Sequence, residues 1–210
     1  MKIAIVTFDG FNEIDSILAA HILNRVERPG WKAEITAPTQ SVTSMNGVVI
    51  SAQQPLESVS EANAIVFGSG RKTKQCIEDA SIMSRIKLSP ERQLIASQCS
   101  GALVLAHLGL LKDMPASTDA WTKPELEAAG VNVLDRSFYA EGNIATAGGC
   151  LSAQYLATWI IWRLIGKEAA IEALNYVVPV GEQQEYISRA IDTVSPYILT
   201  NTGSDETAAA

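Results

Sequence analysis

The stretch Gln93 to His107, QLIASQCSGALVLAH, decides the fold. Its opening, Gln93 to Ser97, is a short apolar run of the kind that makes a strand buried on both faces, and its close is an apolar helix ending at His107. Between them the chain passes from strand to helix at Cys99, flanked by small residues, Ser97, Ser100, Gly101 and Ala102, that permit a sharp turn. This is the cysteine counterpart of a nucleophile elbow, the strand-to-helix turn that lifts a reactive side chain above the edge of a sheet. At a helix start the partial positive charge and unpaired N–H groups favour a thiolate over a thiol, whose unperturbed pKa is about 8.5. The amides of Ser100 and Gly101 are placed there to hold an anion. The alternative is that Cys99 is a small buried residue between strand and helix, a common fate of free cysteine.

Outward from this junction, apolar runs alternate with helical patterns. Upstream, Lys2 to Thr7 is a strand, and Ile14, Ile17, Leu18, His21 and Ile22 recur at helical spacing before Pro29-Gly30. Lys32 to Thr36 is a second strand, Val48 to Ser51 follows the Asn46-Gly47 turn as half of a hairpin, and Asn63 to Phe67 is a third buried strand ending in Gly68-Ser69-Gly70. A helix is predicted over 74–86. Downstream come a short helix at 125–129, strands at 131–134, 138–139 and 143–146, and a helix from Cys150 after Gly148-Gly149. Two further helices, over 167–176 and 182–194, complete the pattern. Strands too apolar to face water, separated by helices, predict an α/β, flavodoxin-like, doubly wound and mostly parallel sheet with helices on both faces. No linker or internal repeat divides residues 1–199, which form one domain, and residues 200–210 read as a disordered tail.

The composition narrows the function. Sixteen Lys and Arg against twenty-three Asp and Glu give a net charge of −7, with no basic run interleaved with aromatics, so nucleic acid is not an expected partner. The most apolar stretch, Cys150 to Ile165, is interrupted by Gln154, Tyr155 and Arg163 and falls short of the roughly 20 residues of a membrane span. Membrane attachment is not expected, and without a signal-like start the protein reads as cytoplasmic. Three cysteines without a CxxC pair and two histidines predict neither a disulfide framework nor a zinc site. Cys150 also opens a helix after glycines but reads as packing, and Cys76 as incidental. The basic turn Arg71 to Lys74 lacks phosphate-loop spacing and reads as solvated. Trp121, Trp159 and Trp162 read as core or interface anchors.

In a parallel sheet, ligands sit beyond the carboxyl ends of the strands, where loops and helix N-termini converge. Four elements end there: the loop Phe8 to Asp15, the turn Gly68-Ser69-Gly70, the junction at Cys99, and Ser117-Thr118-Asp119.

The order FDGFNEID, GSG, ASQCSGA and TAGG before a helix resembles the ThiJ/PfpI superfamily of the class I glutamine amidotransferase-like fold, over about residues 1–195. The phrases QCSGALVLAHLGLL, ATAGGCLSAQ and NYVVPV resemble isocyanide hydratase in particular. The resemblance implies an elbow cysteine, Cys99, facing a carboxylate from the first loop. Asp15 matches that carboxylate, with Glu13 its neighbour; read alone, both are ordinary first-turn acids. A charged carboxylate beside a cysteine disfavours the thiolate, whereas a protonated one donates a hydrogen bond to it, so the two are coupled. Many members of the superfamily carry a histidine where this chain has Asp119, and neither His21 nor His107 is placed to replace it. A Cys-His-carboxylate peptidase or amidotransferase is therefore not expected.

What the resemblance implies instead is hydration of a small electrophile, an isocyanide becoming an N-substituted formamide, with no cofactor and no metal. Cys99 is the implied nucleophile and Asp15 the acid and base. The amides of Ser100 and Gly101, with the turn at Ser69 and Gly70, would stabilise developing negative charge, Ser69 standing where the family usually has glycine. Thr118 and Asp119 would border the pocket, the charge of Asp119 opposing ionisation of its neighbours. A glyoxalase or lyase reaction, or a non-enzymatic redox-sensing cysteine or ligand-binding protein, are the alternatives. Relatives form two-fold dimers, and the first helix with His21 is the candidate interface.

Overall fold

The computed structural model describes residues 1–198; the expected tail lies outside the described residues. In chain order the elements are β1 (Lys2–Val6), α1 (Glu13–Leu23), β2 (Lys32–Ala37), β3 (Ser41–Thr43), β4 (Val49–Ser51), β5 (Gln54–Pro55) and β6 (Ala64–Phe67). They continue with α2 (Thr73–Glu78), α3 (Ala80–Met83), β7 (Leu94–Gln98), α4 (Gly101–His107), α5 (Lys123–Ala128), β8 (Phe138–Glu141) and β9 (Ile144–Ala147). The helices α6 (Ala153–Leu164), α7 (Lys167–Val177) and α8 (Gln183–Val194) close the fold. Seven strands form one sheet in the order β5-β2-β1-β6-β7-β9-β8, parallel except for β8 against β9, and β3 and β4 pair as the separate hairpin.

Because side chains alternate along a strand, each buried strand feeds two cores. Ile3, Ile5, Val66 and Ala96 pack with α1, α6, α7 and α8 around the fully buried Trp159. Ala4, Val6, Ile65, Phe67 and Ile95 pack on the other face with α4 and with Cys76, Met83 and Leu126 of the short helices. Among the described residues no helix is long and apolar enough to cross a membrane.

Three elements differ from the sequence reading. The helix expected over 74–86 is two short helices, because Asp79 leaves the helical conformation and its carboxylate accepts the N–H of Ser81, capping α3. The strand expected at 131–134 is reduced to a single bridge between Ala116 and Val133. The first helix buries Asp15, Ser16, Ala19, Ile22 and Leu23, leaving Ile14 and Ile17 exposed at 47% and 43%. That stripe keeps helical spacing but is rotated onto the smaller residues, so α1 sits close to the sheet.

The chain enters the sheet at β1, builds β2 on one side and β6, β7 and β9 on the other, and so has its switch point between β1 and β6. Parallel pairing of Val6 with Phe67, Phe67 with Ser97 and Gln98 with Ala147 brings the ends of four strands to one edge. The loops after β1, β6, β7 and β9 meet there.

Candidate active site

Cys99 occupies the turn between β7 and α4 with φ +47°, the only non-glycine residue with positive φ among the described residues. That conformation costs an L-residue about 1–2 kcal/mol. Its neighbours hold it: Cys99 N–H donates to Ala147 O at 2.8 Å, and Cys99 O accepts from Thr118 Oγ1 at 2.8 Å and from Ala102 N–H at 3.1 Å. Gly101 is required next to it, since a Cβ there would stand 2.4 Å from Phe67 O. Without that side chain, α4 starts against the end of β6.

The roll of α1 separates the two candidate carboxylates. Glu13 turns to the hairpin, accepting from Ser44 Oγ and, at 2.9 Å, from Asn46 Nδ2; the Ser44 bond holds its carboxyl below the usual range. Asp15 instead is fully buried and faces Cys99. Its Oδ2 accepts a hydrogen bond from Ser69 Oγ, and its Oδ1 has no hydrogen-bond partner among the described residues.

Cys150 stands in the same cluster. The Sγ atoms of Cys99 and Cys150 and a carboxylate oxygen of Asp15 all lie within 4.8 Å of one another. Reading Cys150 as packing is thereby corrected: β9 runs beside β7, so the glycines after β9 deliver the half-buried Cys150 to the carboxylate at the elbow. Asn12 Nδ2 donates to Cys150 Sγ at 3.3 Å, and Gln98 Nε2 to Cys99 Sγ at 3.5 Å.

These surroundings act against the thiolate. Burial pushes the Cys99 thiol far above its ordinary value, the charge of the neighbouring Asp15 carboxylate pushes it further, Asp119 adds to this, and the Gln98 amide offsets only part. Burial beside a carboxylate opposes the thiolate-favouring effect expected from the helix start at the elbow. Cys150 is raised by the same two influences, burial first and Asp15 second.

The remaining expected residues take distinct places. Ser69 serves Asp15 through its hydroxyl. The N–H of Gly70, expected to help hold an anion, donates to Ser100 Oγ at 3.1 Å and is already engaged. Among the described residues nothing accepts the N–H of Ser100 or Gly101, which leaves them as the donors at the elbow. Thr118 fixes the Cys99 carbonyl. Asp119 accepts from Trp121 N–H and Thr122 N–H at 2.9 and 3.0 Å and from Thr122 Oγ1 at 2.6 Å, so it fastens the turn into α5. His21 and His107 are both exposed, His21 against the Tyr176 ring. Trp159 is core and Trp162 packs against it, whereas Trp121 is 93% exposed and anchors nothing within the described chain. Cys76 is buried among α2 residues, away from this cluster. A separate cleft along β5, lined by Glu34, Gln54 and Glu57, holds no cysteine or histidine.

A family model for the DJ-1/PfpI family matches residues 1–162. The chain belongs to the DJ-1/PfpI family. It is 22% identical over 147 residues to a deglycase of Thermococcus kodakarensis, covering 68% of this chain and 87% of that one. A deglycase of Pyrococcus abyssi is 23% identical over the same shares. Among solved structures, Schizosaccharomyces pombe DJ-1 superposes with a TM-score of 0.73 at 16% identity, covering 85% of this chain and 100% of that one. Oxidized Toxoplasma gondii DJ-1 gives 0.70 at 22% identity, covering 85% and 98%. These similarities establish the fold of the DJ-1/PfpI chain.

Within this DJ-1/PfpI site, the sequence reading missed Cys150, Asn12 and Gln98. Cys150 carried one signal, its place after two glycines at a helix start, as Cys99 stands at the start of α4. Asn12 and Gln98 carried none, since a neutral amide gains meaning only from the atom it faces.

Proposed function

We propose that this protein is a cysteine-dependent enzyme in which Cys99 adds to the electrophilic carbon of a small molecule and Asp15 carries the proton, with an isocyanide as substrate. The observation that carries the reading is the buried Asp15 carboxylate beside the Cys99 thiol, with both histidines of the chain exposed elsewhere. Asp15 takes the thiol proton as the Cys99 sulfur bonds to the isocyanide carbon, then passes that proton to the same carbon, leaving a thioimidate. Water gives a proton to Asp15 and its oxygen to that carbon, and the nitrogen takes up the proton. The carbon–sulfur bond breaks as the new hydroxyl, giving its proton to Asp15, becomes a carbonyl, releasing an N-substituted formamide, and Asp15 returns that proton to sulfur. The sum is isocyanide plus water, and every proton passes through Asp15. The N–H groups of Ser100 and Gly101, which no described residue accepts, are the donors available to stabilise the charge that develops.

The two deglycase relatives favour a second reading, in which the same sulfur attacks an aldehyde-derived carbonyl carbon. A purely sensing role is disfavoured, because the thiolate is the readily oxidised form and burial beside the Asp15 carboxylate disfavours it at Cys99. The exposed Ile14 and Ile17 on α1 support a homodimer through this helix.

The test is to incubate the wild type and Cys99→Ala with an alkyl isocyanide and follow formamide. Formation by the wild type alone supports the hydratase reading. Formation by neither protein overturns the isocyanide assignment, and equal formation by both removes Cys99 from the reaction. The same pair tested with an aldehyde adduct decides the second reading.

A further inference from the structure

We infer that Asp15, Cys99 and Cys150 form a binding site for a zinc ion. Two sulfurs and a carboxylate oxygen within 4.8 Å of one another supply three of the four ligands that tetrahedral zinc takes. With zinc–sulfur bonds of about 2.3 Å and zinc–oxygen bonds of about 2.1 Å, ligand atoms of a tetrahedron lie roughly 3.5–3.8 Å apart. Thiolate ligands exclude magnesium and calcium, which take oxygen.

An independent observation points to a missing ligand. Asp15 is wholly buried, and among the described residues its Oδ1 has no hydrogen-bond partner although its Oδ2 is satisfied by Ser69. A buried, unsatisfied carboxylate oxygen is costly, and a metal ion resolves it. Among the described residues no lysine, arginine or histidine forms an ion pair with Asp15. With both sulfurs ionised, the cluster would hold three negative charges that a divalent cation would largely neutralise.

The outer shell suits the same occupant. Each ligand is backed by one neutral donor: Ser69 Oγ on Asp15, Gln98 Nε2 on Cys99 and Asn12 Nδ2 on Cys150. The Gln98 amide is itself fixed by donating to Gly149 O at 2.7 Å. Hydrogen bonds of this kind orient ligands and tune them. Three protein ligands leave the fourth position open to water or a small donor. Zinc would occupy the Cys99 sulfur, so zinc and an electrophile compete for one atom, and the metal-bound form is blocked toward addition.

The experiment titrates reduced, chelator-stripped protein with zinc by calorimetry and with cobalt(II) by absorbance. The expected result is one ion per chain and a sulfur-to-cobalt charge-transfer band. Cys150→Ser and Asp15→Asn should each weaken zinc binding by at least about 100-fold, the upper end of what losing an outer-shell partner alone costs. Thermal melting of the metal-free variants shows that they are folded. Equal zinc affinity in wild type and Cys150→Ser, a cobalt complex without the charge-transfer band, or no binding at one ion per chain would each overturn the site. The readout is binding alone, so a wrong substrate assignment leaves it standing, and its failure leaves the Cys99→Ala turnover comparison intact.

Discussion

Cys99 combines a left-handed backbone with a buried thiol beside a carboxylate, and both have measurable consequences. The backbone strain predicts that Cys99→Gly is more stable than Cys99→Ala by about 1 kcal/mol, since only glycine takes positive φ freely; chemical denaturation of the pair measures it. The raised thiol predicts that alkylation of Cys99 accelerates only well above the ordinary thiol value of about 8.5. Asp15→Asn removes the carboxylate charge, so the alkylation profile shifts to lower pH even as turnover falls by about 100-fold or more through loss of the proton carrier. Linkage gives a third outcome. Below about pH 8.5 the thiol is protonated in both folded and unfolded chains; above it only the unfolded chain ionises freely, so stability falls as pH rises toward the folded-state value. Wild type should therefore lose stability between pH 8.5 and 10 faster than Cys99→Ser, as denaturation at a series of pH values will show. Asp15 was chosen over Glu13 in the sequence only through the family resemblance, because read alone two acids on one helical turn differ only by the roll of the helix. That roll is set where Ser16 and Ala19 let α1 lie close to the sheet.

The elements explain why most of the fold and only part of the site could be read. The buried strand at Leu94 to Gln98 and the small residues after it announce the elbow locally, and the alternation of apolar runs with helices announces the parallel sheet. The split of α2 from α3 turns on a single aspartate, and Asp79 is an ordinary capping residue that helical periodicity passes over. Cys150 lies 51 positions from Cys99 in the chain, and only the pairing of β7 with β9 joins them. Close backbone approach is the other property invisible to composition. A Cβ on Gly148 would stand 2.1 Å from Thr118 O, so Gly148→Ala must push β9 from the segment that holds the Cys99 carbonyl. A loss of about 1–3 kcal/mol is expected, read as a lower urea midpoint, together with reduced turnover.

For the whole molecule, the exposed isoleucines of α1 predict that the protein scatters light at twice its chain mass of 22.5 kDa, and that a double substitution, Ile14→Glu with Ile17→Glu, returns it to the single-chain mass. A wild type at single-chain mass at micromolar concentration would refute the dimer. The central claim is that Cys99 forms the covalent bond in turnover, and intact-mass spectrometry tests it most directly. Wild type quenched during turnover should carry a species heavier by one isocyanide molecule, with peptide mapping placing the addition on Cys99, and Asp15→Asn, unable to take the thiol proton, should form far less of it. An adduct on Cys150, or formamide production undiminished in Cys99→Ala, would contradict the account.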